Sequence, residues 1–398
     1  RATGAWTLPT HASIFTGLYT TLHDAHHETH RLAEERVTLA EMLRPTHQTA
    51  AFSENPHIIR AKGFAQGFET FEETWRPRDP AHHLNTLTSF RTWYGTRDPS
   101  RPFFAFVNLI TPHLPYDPPA EWRDRFFGVS GFSRQEVDQF TRFREAHARL
   151  YSSGALSLPQ RALEILRALY LVDVAWTDSR LGEILALLRN DGSLDRTLVV
   201  ILSDHGENIG EHGLMEHQLS LYETLLRVPL VMRLPGQIRA GEIRDDPVQQ
   251  IDVAPTILDV AGIPKDDWPS MSGTSLLGAR IPQERPVIAE YMRPLDQRGL
   301  FRKVNPSFDF DRFDRRLKSI QVGTTKLIIS DRGDPELYDL AADPHETRNL
   351  IEERTEAARS LRKRLLEIVP RWGPANPAER PNLDPRAIEE LRSLGYLQ

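Results

Sequence analysis

An aspartate and a histidine follow directly on a short apolar run near the middle of the sequence. Residues 198–202 are typical of a buried strand, and Ser203, Asp204, His205 and then a glycine come next. Enzymes with an α/β sheet place ligands at the carboxyl edge, where such a strand ends. A turn of the backbone there lets both side chains converge on one ion, and a carboxylate with an imidazole suits Zn²⁺ or Mn²⁺. The alternative is that Asp204 caps a helix and His205 is incidental.

A threonine near the start of the sequence is a second chemical candidate. Thr7 comes two residues before Pro9, and proline is favoured in the first turn of a helix. A hydroxyl at a helix N-terminus lies where backbone amides and the helix dipole favour an anion. Such a hydroxyl can act as a nucleophile if a metal or a base lowers its pKa. The same residues also suit a simple helix cap.

The composition excludes several kinds of site. The 398 residues include no cysteine, so disulfides and thiolate metal sites are excluded. A net charge of -6 gives no support to a nucleic-acid-binding face. No apolar run approaches the roughly 20 residues that cross a bilayer. The length predicts one large domain with a smaller companion, or two domains of moderate size.

Strands and helices that could position these residues alternate along the first two-thirds of the chain. The predicted strands are residues 48–52, 102–110, 198–202 and 228–234, and the predicted helices are residues 37–43, 159–188 and 251–261. This alternation predicts a doubly wound, mostly parallel α/β sheet. The run at 102–110 suits the middle of a sheet that is covered on both faces.

The pattern changes beyond about residue 285. Residues 317–322 and 325–329 are typical of paired strands, and residues 352–369 of a helix. We therefore predict a catalytic domain at residues 1–288 and a smaller C-terminal α+β subdomain at residues 289–398.

Several motifs, in order along nearly the whole chain, resemble the sulfatase-like branch of the alkaline phosphatase superfamily. Residues 7–17 fit the pattern of a nucleophile, any residue, Pro, a small hydroxyl residue and Arg or His, followed by Thr-Gly. The other matching segments are residues 111–116, 198–213, 221–230, 252–258 and 336–350. The resemblance implies an alkaline phosphatase-like fold and metal-dependent hydrolysis of sulfate or phosphate esters.

The resemblance also implies roles for individual residues. Thr7 takes the position of the nucleophile, and Asp204 and His205 take the positions of two metal ligands. His113 matches a histidine that binds the substrate or protonates the leaving group. His217 lies near the position where many sulfatases have a lysine that contacts the ester anion. The metal is expected to be Ca²⁺, Mn²⁺, Zn²⁺ or Mg²⁺.

Further histidines have weaker matches. His11 replaces an arginine that is frequent in the family, and His23 aligns with a histidine just beyond the Thr-Gly. Both are candidates for substrate binding, and a packing role is the alternative for each. The remaining histidines that we interpret as surface residues are His26, His27, His30, His82 and His83.

Two departures from the family pattern affect the chemistry. Sulfatases use formylglycine made from cysteine or serine, and Thr7 cannot be converted to it, so no formylglycine is expected. The phosphate-directed relatives, such as phosphodiesterases and phosphonate hydrolases, use a threonine alkoxide directly. The family also takes one or two aspartate ligands from a first strand ahead of the nucleophile. No such strand precedes Arg1, so we expect part of the metal site to be missing from this chain.

Three functions therefore stay open. The first is a hydrolase of sulfate or phosphate esters, and the second is a phospho-alcohol transferase of the same superfamily. The third is a catalytically silent relative that binds a glycan. The expected partner is a sulfated or phosphorylated small molecule or glycan, with no nucleic acid and no membrane span within the chain. The compartment stays open, and specificity is expected on the loops at residues 117–160 and 290–315.

Overall fold

A computed structural model describes most of the chain. It covers residues 1–75, 82–127, 131–278, 280–295 and 297–373, with residues 383, 385, 388 and 389. For residues 82–85 only the backbone is described, so the side chains of His82 and His83 lie outside it. Within the described part, no helix is both long enough and apolar enough to cross a membrane.

Each strand and helix predicted for the first two-thirds of the chain has a counterpart among the described residues. The helices are α1 (Thr7–Thr16), α2 (Thr20–His23), α3 (Leu39–Leu43), α4 (His82–Thr96), α5 (Ala120–Phe127), α6 (Arg134–Phe140), α7 (Glu145–Ser152), α8 (Gln160–Asn190), α9 (Glu223–Leu226), α10 (Val253–Val260), α11 (Gln297–Val304) and α12 (Thr355–Ile368). The strands are β1 (Gln48–Ser53), β2 (Thr70–Glu73), β3 (Phe103–Asn108), β4 (Val199–Leu202), β5 (Asn208–Ile209), β6 (Met215–Glu216), β7 (Leu230–Arg233), β8 (Val287–Tyr291), β9 (Leu317–Val322), β10 (Thr325–Ser330) and β11 (Glu336–Asp339).

The main sheet lies between two layers of helices. Strands β2, β1 and β3 are parallel and hydrogen-bonded in that order. Phe52 on β1 packs toward α4 and α8, whereas its neighbour Ala51 joins the core on the opposite face with α1. Alternate residues of one strand therefore bury against opposite helical layers, which confirms the predicted doubly wound α/β architecture. Strand β7 differs from its neighbours because it runs antiparallel to β4.

A wide slot separates the two halves of this sheet. In the described chain, β3 forms a ladder only with β1, and β4 only with β7. The cavity between β3 and β4 has a volume of about 1080 Å³ and is also lined by α8 on one side and α1 and α10 on the other. The run at 102–110 is thus covered by helices on both faces, as predicted, but one of its edges is open. We call this cavity the slot.

The C-terminal part forms a separate antiparallel sheet. Its order is β11-β10-β9-β8, and α12 packs against β9 and β10. The predicted pairing of residues 317–322 with 325–329 is confirmed. The boundary expected after residue 288 falls within β8. Glu290 of β8 accepts hydrogen bonds from the backbone and hydroxyl of Thr21 and pairs with Lys318, which attaches this sheet to the segment after α1.

A buried carboxyl on α8 has no hydrogen-bond partner in the described chain. Asp173 is 1% exposed, and neither of its carboxyl oxygens is hydrogen-bonded. Burial, together with the nearby Asp117, raises the pKa of Asp173 to about 8. Between about pH 4 and pH 8 the unfolded chain therefore ionises this group while the folded chain does not. The free energy of unfolding falls as pH rises through this window.

We therefore expect the neutral substitution Asp173→Asn to stabilise the protein more at pH 8 than at pH 5. The gain at pH 8 should be on the order of a few kcal/mol, since one pKa unit corresponds to about 1.4 kcal/mol. Urea unfolding at both pH values measures it. Asp178→Asn, at an exposed position of the same helix, is the control and should change little. An equal gain in the free energy of unfolding at both pH values would contradict the raised pKa of Asp173.

Candidate active site

The predicted chemical residues meet at one end of the slot. The strands β1, β3 and β4 finish at this edge, and α1 begins there. The residues from this region that line the slot are Thr7, His11, Asn55, His113, Asp204, His205 and Glu207. The ring of His217 adjoins them, with its centroid 4.2 Å from that of His205 and 5.3 Å from that of His113.

Thr7 is the first residue of α1, and its hydroxyl is not used as a helix cap. Trp6 holds the N-cap position, with no capping bond from its side chain. The one hydrogen-bond partner of the Thr7 hydroxyl within the described residues is Asn55, whose Nδ2 donates to Oγ1 at 3.3 Å. Thr7 itself is 1% exposed. A buried hydroxyl at a helix N-terminus that receives a hydrogen bond is well suited to carry negative charge.

Asn55 is a site residue that the sequence interpretation missed. It follows β1 by two residues, and its Oδ1 accepts a hydrogen bond from the backbone N–H of His57 at 2.8 Å. This bond orients the amide so that Nδ2 faces Thr7. The signal was present in the sequence, because a polar residue just after the predicted strand 48–52 belongs to the same sheet edge as Asp204.

Asp204 and His205 form a close pair directly after β4. His205 Nδ1–H donates to the carbonyl of Gly206 at 2.9 Å, because a carbonyl can only accept. In the neutral form of the ring Nε2 then carries the lone pair, 3.3 Å from Asp204 Oδ2. Two acceptors facing each other require a proton or a cation between them, and a carbonyl-anchored imidazole is typical of metal ligands. The donor set thus fits a divalent ion.

The pair alone does not complete a metal site. In the part of the chain that the structure describes, no group of three or more His, Asp or Glu side chains is arranged to hold an ion. Burial raises the pKa of Asp204, but His205, His11 and His217 together lower it below its usual value. The aspartate is therefore ionised at neutral pH and available as a ligand.

His11 links α1 to this pair. Its Nδ1–H donates to the carbonyl of Thr7 at 2.9 Å and lies 3.5 Å from Asp204 Oδ2. Burial lowers the pKa of His11, although Asp204 opposes the shift. The neutral His11 ring contacts both the Thr7 carbonyl and the Asp204 carboxylate through Nδ1. It therefore fixes the position of Thr7 relative to Asp204.

Two further histidines and one carboxyl group lie at the same edge of the sheet. His113 Nδ1–H donates to the carbonyl of Leu114, and burial beside His217 lowers the pKa of His113 to about 4. His217 Nδ1 lies 3.1 Å from Glu207 Oε1. Burial raises the pKa of Glu207 to about 7, although His113 and His205 oppose the shift. Glu207 belongs to a motif that the sequence analysis recognised, but no role was assigned to it there.

The backbone that carries His217 is strained. Glu216, Gln218 and Leu219 have φ values of 63°, 82° and 62°, in the left-handed region that non-glycine residues rarely adopt. The N–H of Gln218 donates to the carbonyl of Ala5 at 3.0 Å, which ties this segment to the residues leading into Thr7. Strain of this kind persists only where surrounding contacts hold it, and it is common at functional sites.

Comparisons with known proteins agree with the geometry. The Sulfatase family model matches residues 1–263. The chain belongs to the sulfatase family.

Relatives and solved structures of the sulfatase family extend this result. Arylsulfatase K of Bos taurus is 29% identical over 68% of this chain and 51% of that protein. The arylsulfatase of Clostridium perfringens (strain 13 / Type A) is 28% identical over 68% of the chain and 54% of that protein. The chain thus spans about half the length of the curated relatives it matches.

Solved structures support the fold. The phosphonate monoester hydrolase of Agrobacterium radiobacter matches with a TM-score of 0.73 and 22% identity, over 93% of this chain and 87% of that one. The structure of BT4656 with its substrate D-glucosamine-2-N,6-O-disulfate matches with a TM-score of 0.67 and 22% identity, over 93% and 88%. These likenesses confirm the expected alkaline phosphatase-like α/β fold.

His23 is not brought to the edge of this sulfatase-family site. It is buried behind α1, where its Nδ1 accepts a hydrogen bond from the backbone N–H of Ala25 at 3.0 Å. Its Nε2–H therefore donates to Ser13 Oγ at 3.1 Å. These contacts position α1, and His23 does not line the slot. Its role in substrate binding stays a prediction.

The surface interpretation of two histidines was wrong. His26 and His27 are 0% and 4% exposed, whereas His30 is half-buried. The ring of His27 stacks on Trp6 with a centroid distance of 3.9 Å and meets Tyr291 edge-on. Burial holds the pKa of His27 well below its usual range, so the neutral ring packs like an aromatic side chain.

We expect Glu207→Gln to lower kcat of the sulfatase-family site by about 10- to 100-fold with little change in KM, because the Glu207 carboxyl orients His217. Steady-state kinetics measures the split, and ¹⁵N chemical shifts of the His217 ring report its tautomer. Glu211→Gln, at a nearby carboxylate that pairs with Arg167, is the matched control. An unchanged kcat together with an unchanged His217 tautomer would show that Glu207 has only a packing role.

Proposed function

We propose that this chain hydrolyses sulfate or phosphate esters with Thr7 as the nucleophile and a divalent metal ion as cofactor. The observation that carries the proposal is the presence of the buried Thr7 hydroxyl and the Asp204–His205 pair in one cavity. Membership of the sulfatase family supports it. The phosphonate monoester hydrolase among the structural neighbours supports it through the fold they share.

The residues at the carboxyl edge of the sheet have different roles in the proposed reaction. Asn55 donates to Thr7 Oγ1 and stabilises negative charge on that oxygen, together with the first amides of α1. Asp204 and His205 would hold the ion, which would neutralise the ester anion and lower the pKa of the Thr7 hydroxyl. Thr7 Oγ1 then forms a bond to sulfur or phosphorus while the bond to the leaving oxygen breaks.

We assign proton transfer to a histidine at this edge. His113 Nδ1–H donates to a carbonyl, so Nε2 carries the lone pair of the neutral ring, and the low pKa of His113 keeps it neutral at pH 7. A neutral His113 can take the proton that Thr7 or the hydrolytic water loses and return it to the leaving oxygen. We assign the contact with the ester oxygens to His217, whose Nδ1 lies 3.1 Å from Glu207 Oε1. Water then attacks the sulfur or phosphorus and releases Thr7.

The proposal also ranks the two kinds of ester, phosphate and sulfate. A threonine alkoxide suits phosphate esters, whereas the curated relatives are arylsulfatases. We place phosphate mono- and diesters first because Thr7 cannot provide the hydrated aldehyde that sulfate chemistry uses in formylglycine enzymes. A sulfated or phosphorylated glycan or small molecule is the proposed substrate class.

A substrate panel tests the proposal. We expect p-nitrophenyl phosphate or bis(p-nitrophenyl) phosphate to be turned over with added Mn²⁺, Zn²⁺ or Ca²⁺, and turnover to disappear with a chelator. p-Nitrophenyl sulfate should be the poorer substrate. Turnover that persists unchanged in the chelator would contradict metal dependence, and a clear preference for the sulfate would contradict the order of esters.

A further inference from the structure

A buried glutamine joins the two parts of the chain that carry the chemical residues. Gln250 is 3% exposed and begins a short 3₁₀ helix, Gln250–Asp252, which leads into α10. Its side-chain Nε2 donates to the carbonyl of Ser203 at 3.0 Å and to the carbonyl of Asp204 at 2.6 Å. Its Oε1 accepts from the backbone N–H of Thr3 at 3.1 Å. One amide group thus contacts both the end of β4 and the segment that leads into α1.

The partners of this amide determine which way it faces. Backbone carbonyls only accept hydrogen bonds, and a backbone N–H only donates. The NH2 group of Gln250 therefore faces the two carbonyls, and its oxygen faces Thr3. The Thr3 hydroxyl, 3.3 Å from the same oxygen, is a second donor to it. A side chain that lacks either the NH2 group or the oxygen cannot replace these contacts.

The backbone that carries Gln250 is itself held by an ion pair. Asp252 is 0% exposed, and the guanidinium of Arg285 donates to its two carboxylate oxygens at 2.8 and 2.6 Å. The same carboxylate accepts from the backbone N–H groups of Gln249 and Thr274. Bidentate pairing of an arginine with a carboxylate fixes their relative orientation. Gln250 therefore extends from a rigid base, from which its amide can hold the two segments in place.

The segment between Thr3 and Thr7 is short and is held at a second point. Three residues separate the two threonines, and the carbonyl of Ala5 among them accepts from the N–H of Gln218 at 3.0 Å. A shift of Thr3 is therefore passed on to the N-terminus of α1, where the Thr7 hydroxyl lies.

The contacts of Gln250 differ from those of His11. His11 lies 3.5 Å from the Asp204 carboxylate, which is the group that would hold a divalent ion. Gln250 instead donates to the backbone carbonyl of Asp204 and to that of the residue before it. An ion at the carboxylate leaves these carbonyl contacts in place, so Gln250 can position Asp204 both before and after an ion binds.

We propose that Gln250 is a positioning residue that sets the distance between Thr7 and the Asp204–His205 pair by holding the backbone that carries each of them. This inference rests on the proposed function, in which Thr7 is the nucleophile and the pair holds the ion. Attack by a positioned hydroxyl depends on that distance, and a displacement of about 1 Å can lower a rate by about a hundredfold. Residues that orient metal ligands typically contribute about 10- to 100-fold to metal affinity or activity.

Two methionine variants test the proposal. Gln250→Met removes the hydrogen bonds of the amide and keeps an unbranched side chain of similar length. Gln249→Met is the matched control, because Gln249 is 1% exposed and its amide bonds to Ile288 and Tyr19, away from both segments. We expect Gln250→Met to lower kcat for the phosphate ester by at least about tenfold with little change in KM, and to weaken Mn²⁺ binding in calorimetric titration by about tenfold. The control should lose a similar amount of stability in urea and keep kcat and the Mn²⁺ affinity nearly unchanged.

Hydrogen exchange of the metal-free chain measures the positioning without activity. In Gln250→Met, the backbone amides of residues 1–7 and 203–207 should exchange at least about tenfold faster, because the contact that holds the two segments is lost. In Gln249→Met the same amides should exchange as in the unchanged chain. Gln250→Asn keeps an amide that is one methylene shorter and cannot reach both segments, so it should show the same changes if the methionine variant does not fold.

The outcomes separate this proposal from the proposed hydrolysis. Equal effects of Gln250→Met and Gln249→Met on exchange, Mn²⁺ affinity and kcat would overturn the positioning role. So would a Gln250→Met chain that binds Mn²⁺ and turns over ester as the unchanged chain does. Full turnover by Thr7→Val would instead contradict the proposed nucleophile, whereas exchange and Mn²⁺ affinity would still report on Gln250, because neither measurement uses turnover.

Discussion

Thr7→Val is expected to lower ester turnover by at least about a thousandfold, because it removes the nucleophilic oxygen while keeping the branched shape of the side chain. Thr7→Ser keeps an oxygen at the same position and should retain measurable turnover. Steady-state rates with the phosphate and sulfate esters measure both effects. The loss should be in kcat, since the hydroxyl acts in the chemical step and contributes little to binding.

The stability of the Thr7→Val variant separates chemistry from folding. The substitution leaves Asn55 Nδ2 without its partner at 3.3 Å, which should cost about 1 kcal/mol of the free energy of unfolding. Thr16→Val is the control, because Thr16 is also buried on α1 and its hydroxyl bonds only to backbone groups within the described chain: it donates to the carbonyl of Ala12 and accepts from the N–H of Leu18. The control should show a similar stability change and nearly full activity. Turnover by Thr7→Val at the rate of the unchanged chain would contradict the assignment of Thr7 as the nucleophile.

Asp204→Asn is expected to weaken divalent ion binding by about a hundredfold or more and to remove metal-stimulated turnover. The carboxylate is the anionic member of the pair, and a neutral amide leaves the ion with one imidazole from this motif. Calorimetric titration with Mn²⁺ measures the affinity, and the metal dependence of kcat measures the functional effect.

A second substitution and a control sharpen this test. His205→Ala should weaken binding in the same direction, because it removes the Nε2 lone pair that faces Asp204. Asp195→Asn is the control, since Asp195 is exposed in the turn before β4 and pairs with Arg233. Unchanged Mn²⁺ affinity in Asp204→Asn would contradict the assignment of this pair as ligands.

The strand-end rule explains why much of the site could be predicted. Asp204 and His205 follow one apolar run and His113 follows another, and parallel strands finish at a common edge. Asn55 obeys the same rule, but an amide is not a typical metal ligand or nucleophile, so its residue type did not mark it as a candidate. The role of Glu207 could not be assigned from its motif, since that role comes from the contact with His217, which only the folded backbone creates.

Other features depend on tertiary contacts that one sequence does not display. The apolar runs at β4 and β7 predict strands, but periodicity carries no information on direction, and these two are antiparallel. His23 follows the Thr-Gly at the end of α1, and the path of the chain after that helix takes it behind α1 to Ser13. His27 is buried because Trp6 lies flat against its ring, a contact that no local pattern indicates.

A covalent intermediate on Thr7 distinguishes the proposed nucleophile from a residue that only binds the ester, and it can be trapped. The chain with Mn²⁺ is mixed with bis(p-nitrophenyl) phosphate or p-nitrophenyl sulfate, quenched in acid within one turnover and digested for mass spectrometry. We expect the peptide that contains Thr7 to gain the mass of a p-nitrophenyl-phosphoryl group from the diester, or of a sulfuryl group from the sulfate, and the Thr7→Val peptide to gain neither. Turnover in which the Thr7 peptide stays unmodified, or in which the group is found on another residue, would contradict it.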